Sequence, residues 1–431
     1  MEINDKIIEL LNKSHCEYQV INNIKYLLEN AGFIELKESE DYKIEIGKSY
    51  YITRNMSSIL AFKVNEDISS LYYKIVASHS DSPALKIKEN PTKNVSGYNV
   101  LKVEKYGGMI DSCWLDKPLG ISGRVVYKKE NSIETRLVDI DQNIAIIPNL
   151  AIHFNREINN GFAYNPQKDL MPILGISEDD LFMKLLEKTQ KDGEEILSYD
   201  LYLFNREKAQ YLGYDDQFIT SPKLDDLACA YSSILGLLDS NNSNGIDVCV
   251  VFNNEEVGSN SINGADSDFL SSNLKRIAKS LGFNGDEHKK AIAKSFLISA
   301  DNAHALHPNY VEKSDDKNLV LLNKGVVVKH NSNMAYTSDA FSSSVFKLIA
   351  QKVKIPVQDF YNRSDVRGGS TLGNISNSQI SFYSVDIGIA QLAMHSNYEM
   401  IGKADLNDMY LVLEEFYSSN LEIKDMKANI K

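Results

Sequence analysis

The sequence predicts a mixed α/β protein whose central sheet carries helices on both faces and whose chain is interrupted by a β-rich insertion. Three observations support this prediction. Apolar runs typical of strands alternate with helical runs in the first and last parts of the chain, which indicates a largely parallel sheet. Residues 248–252 are apolar without alternation, as expected of a strand buried on both faces. Between residues 90 and 215 the pattern changes to short alternating runs such as ISGRVVYK and ETRLVDI, which favour antiparallel strands.

Helices and strands follow from these periodicities in chain order. The predicted helices cover residues 14–31, 177–190, 224–238, 266–282, 338–353 and 397–418, the first with Ser14 as a candidate N-cap and Gly32 as its stop. The predicted strands cover residues 58–63, 71–77, 201–204, 247–252, 295–300, 326–329, 355–360 and 380–385. The catalytic α/β domain would therefore be discontinuous, with residues 1–89 and 216–431, and the inserted β-rich domain would comprise residues 90–215.

Length and composition set limits on the function. A chain of 431 residues can bury a large core in two or three domains. Its net charge of −13 argues against nucleic acid and anionic membranes as partners. The four cysteines are scattered, the N-terminus does not resemble a signal peptide, and no apolar run reaches the about 18 residues that a membrane span needs. These features predict a cytoplasmic protein.

Two adjacent carboxylates, Glu255 and Glu256, follow the predicted strand 247–252. Like charges at the end of a buried strand are costly unless a positive charge lies beside them. A metal cluster supplies that charge, and metal-dependent hydrolysis can use one carboxylate as a ligand and the other to move a proton. A solvated acidic turn is the alternative, which the buried strand makes less favourable.

Other polar residues follow predicted strands or open predicted helices. His79 and Asp81 come after the strand 71–77, and an H-x-D pair suits a metal-bound histidine whose ring is held by a second carboxylate. The alternative is a loop with an Asx-turn at Asp81. Asp225 and Asp226 open the helix 224–238, where capping of the helix is the simpler explanation for either residue alone.

Two further groups complete the set. Asp301 and His304 follow the strand 295–300, and His395 lies in a loop before the last helix. In open α/β sheets ligands bind outside the carboxyl ends of the strands, so five such clusters on one edge point to a single site. Nitrogen and oxygen donors without thiolates suit two Zn²⁺ ions, with Mn²⁺ or Co²⁺ as alternatives, about 3.5–4 Å apart.

Seven segments together resemble the M18 metalloaminopeptidases, the aspartyl aminopeptidase group. In chain order they are SHSDSPALKIK, LAIHFNREIN, SPKLDDLA, NNEEVGS, SADNAHALHPNY, RSDVRGGSTLGNI and AMHSNYEMIG. The resemblance covers essentially the whole chain. It implies a catalytic α/β domain, an inserted β domain that mediates dimerisation, and assembly of dimers into a dodecamer.

The resemblance also implies roles for individual residues. The implied metal ligands are His79, Asp225, Glu256, Asp301 and His395. Asp225 would bridge the two ions, Asp81 would orient His79, and Glu255 would be the general base. His153 would lie at the active site, either as a further residue near the metals or in contact with the substrate, and Lys329 would lie at the substrate pocket.

The predicted function is removal of the N-terminal residue of peptides with a free N-terminus, by a water between two metal ions and a glutamate base. Lys329, with His153, could favour acidic N-terminal residues, although a neutral or apolar preference remains open. Related dinuclear hydrolases that cleave N-acyl amino acids, or that are carboxypeptidases, are one rival. A catalytically silent assembly protein is another, but every ligand candidate is present. A serine hydrolase is disfavoured because Ser, His and Asp in SHSDS are too close in sequence for a triad and no G-x-S-x-G occurs.

Overall fold

A computed structural model describes residues 2–366 and 368–431 of the chain. These residues form ten α-helices: α1 (Ile3–Leu11), α2 (Glu17–Asn30), α3 (Pro166–Asp169), α4 (Leu181–Glu187), α5 (Leu224–Asp239), α6 (Phe269–Ser280), α7 (Gly285–Lys294), α8 (Ala340–Lys352), α9 (Leu372–Gln379) and α10 (Lys403–Ser418).

The same residues form twenty-two strands. The first eleven are β1 (Ile34–Leu36), β2 (Ser49–Arg54), β3 (Ser58–Val64), β4 (Tyr73–His79), β5 (Ala84–Val95), β6 (Tyr98–Tyr106), β7 (Leu119–Lys129), β8 (Ser132–Ala145), β9 (Ile173–Ile176), β10 (Glu195–Asn205) and β11 (Gln210–Leu212). The others are β12 (Phe218–Ser221), β13 (Ile246–Phe252), β14 (Phe296–Ala300), β15 (Ala303–His304), β16 (Val326–His330), β17 (Val357–Tyr361), β18 (Tyr383–Gly388), β19 (Ala390–Leu392), β20 (Glu399–Gly402), β21 (Leu421–Lys424) and β22 (Lys427–Ile430).

A nine-stranded mixed sheet forms the centre of the fold, in the order β1-β2-β3-β13-β4-β14-β18-β16-β17. Five of its neighbouring pairs are parallel and three are antiparallel. Strands β13, β4, β14 and β18 are consecutive and parallel, so their carboxyl ends meet at one edge. The predicted fold class, a mixed α/β sheet with a separate antiparallel β part, is confirmed.

Apolar side chains cover both faces of the central sheet. Every residue of β13 is buried: Cys249 and Val251 belong to the core on one face, while Val248 and Val250 belong to the core on the other. Helices α1, α2, α5, α8 and α10 pack on the first face, and α6, α7 and α9 pack on the second. The uninterrupted apolar run of residues 248–252 is therefore the consequence of burial on two sides.

Two smaller sheets extend this framework. A six-stranded sheet in the order β8-β7-β10-β5-β6-β9 is antiparallel throughout and has its own apolar core around Trp114, Phe182 and Leu201. A five-stranded sheet, β11-β12-β20-β19-β15, joins segments that are far apart in sequence. The six-stranded sheet uses residues from 84 to 205, and the division of the chain at 89/90 and 215/216 stays a prediction.

Some elements differ from their prediction for identifiable reasons. The C-terminal helix begins at Lys403 and not at residue 397, because residues 399–402 pair as β20 with both β12 and β19. Ser14 is not an N-cap, since its hydroxyl donates to the Leu10 carbonyl and contacts the Tyr231 hydroxyl, while Cys16 precedes α2. Over residues 2–366 and 368–431, no helix is long and apolar enough to cross a membrane.

Candidate metal centre

The carboxyl ends of three adjacent strands bring the predicted site residues together. His79 is the last residue of β4 and lies opposite Phe252, the last residue of β13. Asp301 directly follows β14, which pairs with β4 on its other side. A 3₁₀ turn after β13 carries Glu255 and Glu256. The register of the parallel strands thus converts residues far apart in sequence into neighbours.

Two groups of side chains in this region have the geometry of metal sites. The first comprises His79, Asp225 and Asp301, and the second comprises Asp225, Glu256 and His395. Asp225 belongs to both: its Oδ1 lies 3.5 Å from His79 Nε2, and its Oδ2 lies 3.6 Å from His395 Nε2. All three residues of the first group are buried, whereas Glu256 and His395 of the second group are only partly buried.

Distances between the donor atoms fit ions better than direct hydrogen bonds. His395 Nε2 lies 3.4 Å from Glu256 Oε2, and His79 Nε2 lies 3.9 Å from Asp301 Oδ1. Ligands about 2.0–2.1 Å from a tetrahedral zinc ion are themselves roughly 3.3 Å apart. Asp225 Oδ1 and Glu256 Oε1 are buried without a hydrogen-bond partner in the described part of the chain. Buried carboxylate oxygens normally have partners, so these atoms suit a cation.

The electrostatics of the site also favour cations. Burial, followed by the charge of Asp225, raises the pKa of Glu256 well above its usual value. Burial likewise raises the pKa of Asp301, against the opposing effect of Lys329. Burial acts to raise the pKa of Asp225, but its interaction with His79 outweighs this and lowers it. The carboxylates of this enclosed site outnumber its two imidazoles, and divalent ions would neutralise the excess negative charge.

Asp81 connects the first histidine to the glutamate turn. His79 Nδ1 lies 3.1 Å from the Asp81 carbonyl oxygen and 3.4 Å from its carboxylate, so this residue can fix the ring orientation with its backbone as well as its side chain. The backbone N–H groups of Glu255 and Glu256 donate to the two Asp81 carboxylate oxygens, each at 3.2 Å. The buried Asp81 carboxylate thus fixes the position of the histidine relative to the turn.

Tyr106 ties the six-stranded sheet to the same carboxylate. It is the last residue of β6, and its hydroxyl donates to Asp81 Oδ2 at 2.7 Å and accepts from Asn254 Nδ2 at 2.9 Å. The antiparallel sheet therefore supports the site through a specific contact.

Glu255 has the properties expected of a group that exchanges protons. Burial, with the charges of Asp301, Asp81 and Asp225 acting against His79, raises its pKa to about 8. Its side chain lines the cavity described below but belongs to neither metal group. A carboxylate with a pKa near neutrality can accept a proton and give it back.

A cavity of about 150 Å³ opens beside the two groups. Asp225, Glu255, Glu256, Asp301, His304, Lys329, Tyr336, Phe360, Thr371 and His395 are among its lining residues. Lys329 is 3% exposed, and its ammonium lies 3.2 Å from Asp301 Oδ2 and 3.1 Å from the Asn302 carbonyl oxygen. His304, predicted beside Asp301, lines the cavity but belongs to neither metal group.

His153 lies outside the cavity beside the two metal groups. It is exposed in the turns that follow residue 150 and does not line the cavity of its own chain. Its role at the active site stays a prediction. Arg367, in the segment RSDVRGGSTLGNI, lies outside the described residues.

Four residues of the site were not found from the sequence. Tyr106 and Glu399 hold parts of the site, and Tyr336 and Phe360 form an aromatic wall with ring centroids 6.4 Å apart. Glu399 lies four residues after His395, a spacing that could have drawn attention to it. The other three lie in ordinary strand or loop contexts that carry no local signal.

Fold and site together define a metallohydrolase with two metal positions that share an aspartate. A family model described as aminopeptidase I zinc metalloprotease (M18) matches residues 10–417. The probable M18 family aminopeptidase 2 of Clostridium novyi (strain NT) is 44% identical over 424 residues, which cover 96% of this chain and 98% of the relative. The chain belongs to the M18 family and is a zinc metalloaminopeptidase that acts on peptides.

Solved structures agree with this assignment. The Ape4 and Nbr1 complex contains a chain with a TM-score of 0.93 and 33% identity, over 96% of this chain and 85% of that one. The S. cerevisiae mApe1 dodecamer gives a TM-score of 0.84 at 26% identity, over 96% of each chain.

Proposed function

We propose that the chain cleaves the N-terminal residue from peptides at a dinuclear centre held by His79, Asp225, Glu256, Asp301 and His395. The observation that carries this proposal is the position of Asp225, whose two oxygens face different histidines. A carboxylate with one oxygen in each of two ligand groups is the arrangement that a bridged pair of ions requires. The unpartnered oxygens of Asp225 and Glu256 support the same assignment.

Glu255 is the general base in this proposal. Bound zinc supplies Lewis acidity, which makes water more acidic and polarises a carbonyl group. Glu255 takes the proton of the attacking water and then delivers it to the departing amine. Asp81 keeps Glu255 beside the cavity through the backbone of the turn, and it keeps His79 in the orientation in which Nε2 faces Asp225.

The free α-amino group determines that the cut is made at the N-terminus. The cavity is small, at about 150 Å³, and its wall next to the two groups is rich in carboxylates. A terminal amine is attracted to such a wall, whereas an acylated terminus lacks the charge and is larger.

Lys329 is the proposed determinant of a preference for acidic N-terminal residues. An ammonium group has three N–H donors. In the described part of the chain, two of those of Lys329 have an acceptor, the Asp301 carboxylate and the Asn302 carbonyl oxygen. The third could meet a substrate carboxylate. A neutral preference is the second candidate, because the pairing of Lys329 with Asp301 already neutralises its charge within the site.

A panel of peptides tests this function on the zinc-loaded protein. We expect turnover of Asp-, Glu- and Leu-terminal peptides with a free amine, highest for the acidic ones, and no turnover of their N-acetylated forms. Lys329→Met should lower kcat/KM for the acidic substrates more than for the Leu substrate.

Different outcomes reject different parts of the proposal. Equal or faster cleavage of the Leu peptide by the wild type would reject the acidic preference and leave the aminopeptidase function intact. Cleavage of the acetylated peptides at a comparable rate would reject the role of the free amine and favour an N-acyl hydrolase.

Self-association is also part of the proposal, through dimers to a dodecamer such as the mApe1 structure contains. Large apolar side chains are exposed near His153: Phe154 is 80% exposed and Leu150 is 60% exposed. Both line a groove of about 600 Å³ in the antiparallel part of the chain. Because His153 does not line its own cavity, a substrate contact from this residue would have to reach the cavity of a second copy.

Light scattering coupled to gel filtration checks the assembly. We expect a mass well above the 48.5 kDa of one chain, and we expect Phe154→Glu to reduce it. A monomeric wild type with full activity would contradict both the assembly and the role of His153. A cytoplasmic location remains our proposal, consistent with four free cysteines.

A further inference from the structure

Glu399 is a buried carboxylate that holds the backbone of two residues of the metal centre. It is the first residue of β20, opposite Ser221 of β12, and is 2% exposed. Its Oε2 accepts the backbone N–H of Asp225 at 3.1 Å, and its Oε1 accepts that of His395 at 2.8 Å.

Glu399 holds two residues at irregular points of the backbone, and one of them, His395, is strained. His395 has a φ of +65°, a left-handed conformation that is unfavourable for a residue with a side chain. Asp225 departs from helical geometry at the start of α5, with φ −84° and ψ 107°. A strained conformation such as that of His395 persists when surrounding contacts fix it. The two hydrogen bonds to the buried Glu399 carboxyl group provide such contacts.

Both residues that Glu399 holds belong to the second metal group, together with Glu256. Asp225 Oδ2 and His395 Nε2 lie 3.6 Å apart, and their residues are 170 positions apart in sequence. In the part of the chain that the structure describes, Glu399 is the side chain that accepts from both main chains. A shift of either backbone would separate the two donor atoms.

We propose that Glu399 is a positioning residue that sets the spacing of Asp225 and His395 and thereby the affinity of the second metal position. This proposal rests on the ligand roles proposed above. Loss of a positioning contact around a metal site typically lowers metal affinity or activity by about 10- to 100-fold.

Glu399→Gln tests the proposal with little change in size. Its amide can accept one of the two N–H groups but presents its own donor to the other, so one backbone is released. We expect zinc affinity, measured by competition with a chromogenic chelator, to fall about 10- to 100-fold at one of two positions. Activity should recover when the zinc concentration is raised, and KM should change less than kcat.

Asp405 offers a matched control. It is equally buried, at 0% exposed, and its two oxygens accept the N–H groups of Asn323 and Gly325 at 2.6 and 2.8 Å. Asp405→Asn removes the same kind of contact from a region without metal donors. We expect it to lower the melting temperature while leaving zinc affinity unchanged.

Further outcomes separate this proposal from the ligand assignment. If Glu399→Gln binds two zinc ions as tightly as the wild type, or if Asp405→Asn loses the same affinity, the positioning role is wrong. If His395→Asn retains both ions, the ligand assignment itself is wrong. Should Glu399→Gln not fold, Glu399→Asp keeps the carboxyl group but is one methylene shorter. It should bind zinc less tightly than the wild type, and wild-type affinity in that variant would overturn the proposal.

Discussion

Replacing Glu255 by glutamine is expected to reduce kcat by about 10²- to 10⁴-fold, the usual contribution of a general base. The amide has nearly the same shape but cannot take a proton from water. Because Glu255 lies outside both metal groups, the variant should still bind two zinc ions. Its backbone N–H is held by Asp81 independently of the side chain, so the turn should keep its conformation.

The neighbouring residue provides the control for this experiment. Glu256 is adjacent in sequence but contributes Oε2 to the second metal group. Glu256→Gln should therefore lose zinc from one position, whereas Glu255→Gln should lose turnover alone. Metal content by mass spectrometry and kcat with an Asp-terminal peptide distinguish the two. A Glu255→Gln enzyme with near wild-type kcat would show that another group takes the proton.

The ends of the central strands could be predicted because burial on both faces makes the sequence of a strand almost wholly apolar. Strand β13 is apolar at every position except Asp247, and the abrupt change to Glu255 and Glu256 identifies the edge where ligands bind. The same change identifies His79 at the end of β4 and Asp301 after β14. Parallel pairing then brings these residues together without further information.

The supporting contacts could not be predicted in the same way. Tyr106 lies 25 residues after Asp81 in a strand of a different sheet, and no local pattern encodes the hydrogen bond between them. Glu399 is similar, since its partner Asp225 is 174 residues away. Both are polar residues in strands, and nothing in the surrounding sequence distinguishes them from other polar strand residues. Their roles depend on tertiary contacts alone.

Helix α7 was not predicted from the sequence, and the reason is a different one. It spans Gly285–Lys294 and begins with a capping box, in which the Asn284 side chain accepts from the Glu287 backbone and the Glu287 side chain accepts from the Asn284 backbone. That pattern, an N-cap residue followed three positions later by glutamate, was present in the sequence. Only Ala291 of this helix is buried, so its weak apolar periodicity concealed it.

Replacing Asp225 by asparagine is expected to affect both metal positions. An amide has one acceptor oxygen and no charge, so it cannot serve two ions as the carboxylate can. Zinc content should fall below two ions per chain. Activity should fall by at least about 10²- to 10³-fold, the loss typical when one preorganised electrostatic group leaves an active site. Among the proposed ligands of the described chain, Asp225 is the one shared by both groups, and so its loss should exceed that of any other.

Asp226 is the matched control because it is adjacent, equally buried and outside both metal groups. Burial raises its pKa well above the usual value, and the amide oxygen of Asp226→Asn can still accept the backbone N–H of His79 as Asp226 Oδ2 does. This variant should keep both ions. Retention of two tightly bound ions by Asp225→Asn would reject the bridging role.

Melting temperatures with and without zinc provide a second measurement for Asp225→Asn. Without metal, Asp225 repels Glu256 and Asp301 but attracts His79, and the lowered pKa of Asp225 indicates that the attraction prevails. The metal-free variant should therefore be somewhat less stable than the metal-free wild type. With zinc, the wild type should gain about 2.7 kcal/mol for each position at a free concentration 100 times the dissociation constant. The variant should gain much less. A difference in melting temperature between wild type and variant that is much larger with zinc than without it identifies a lost metal ligand. A general loss of stability would lower both melting temperatures by a similar amount.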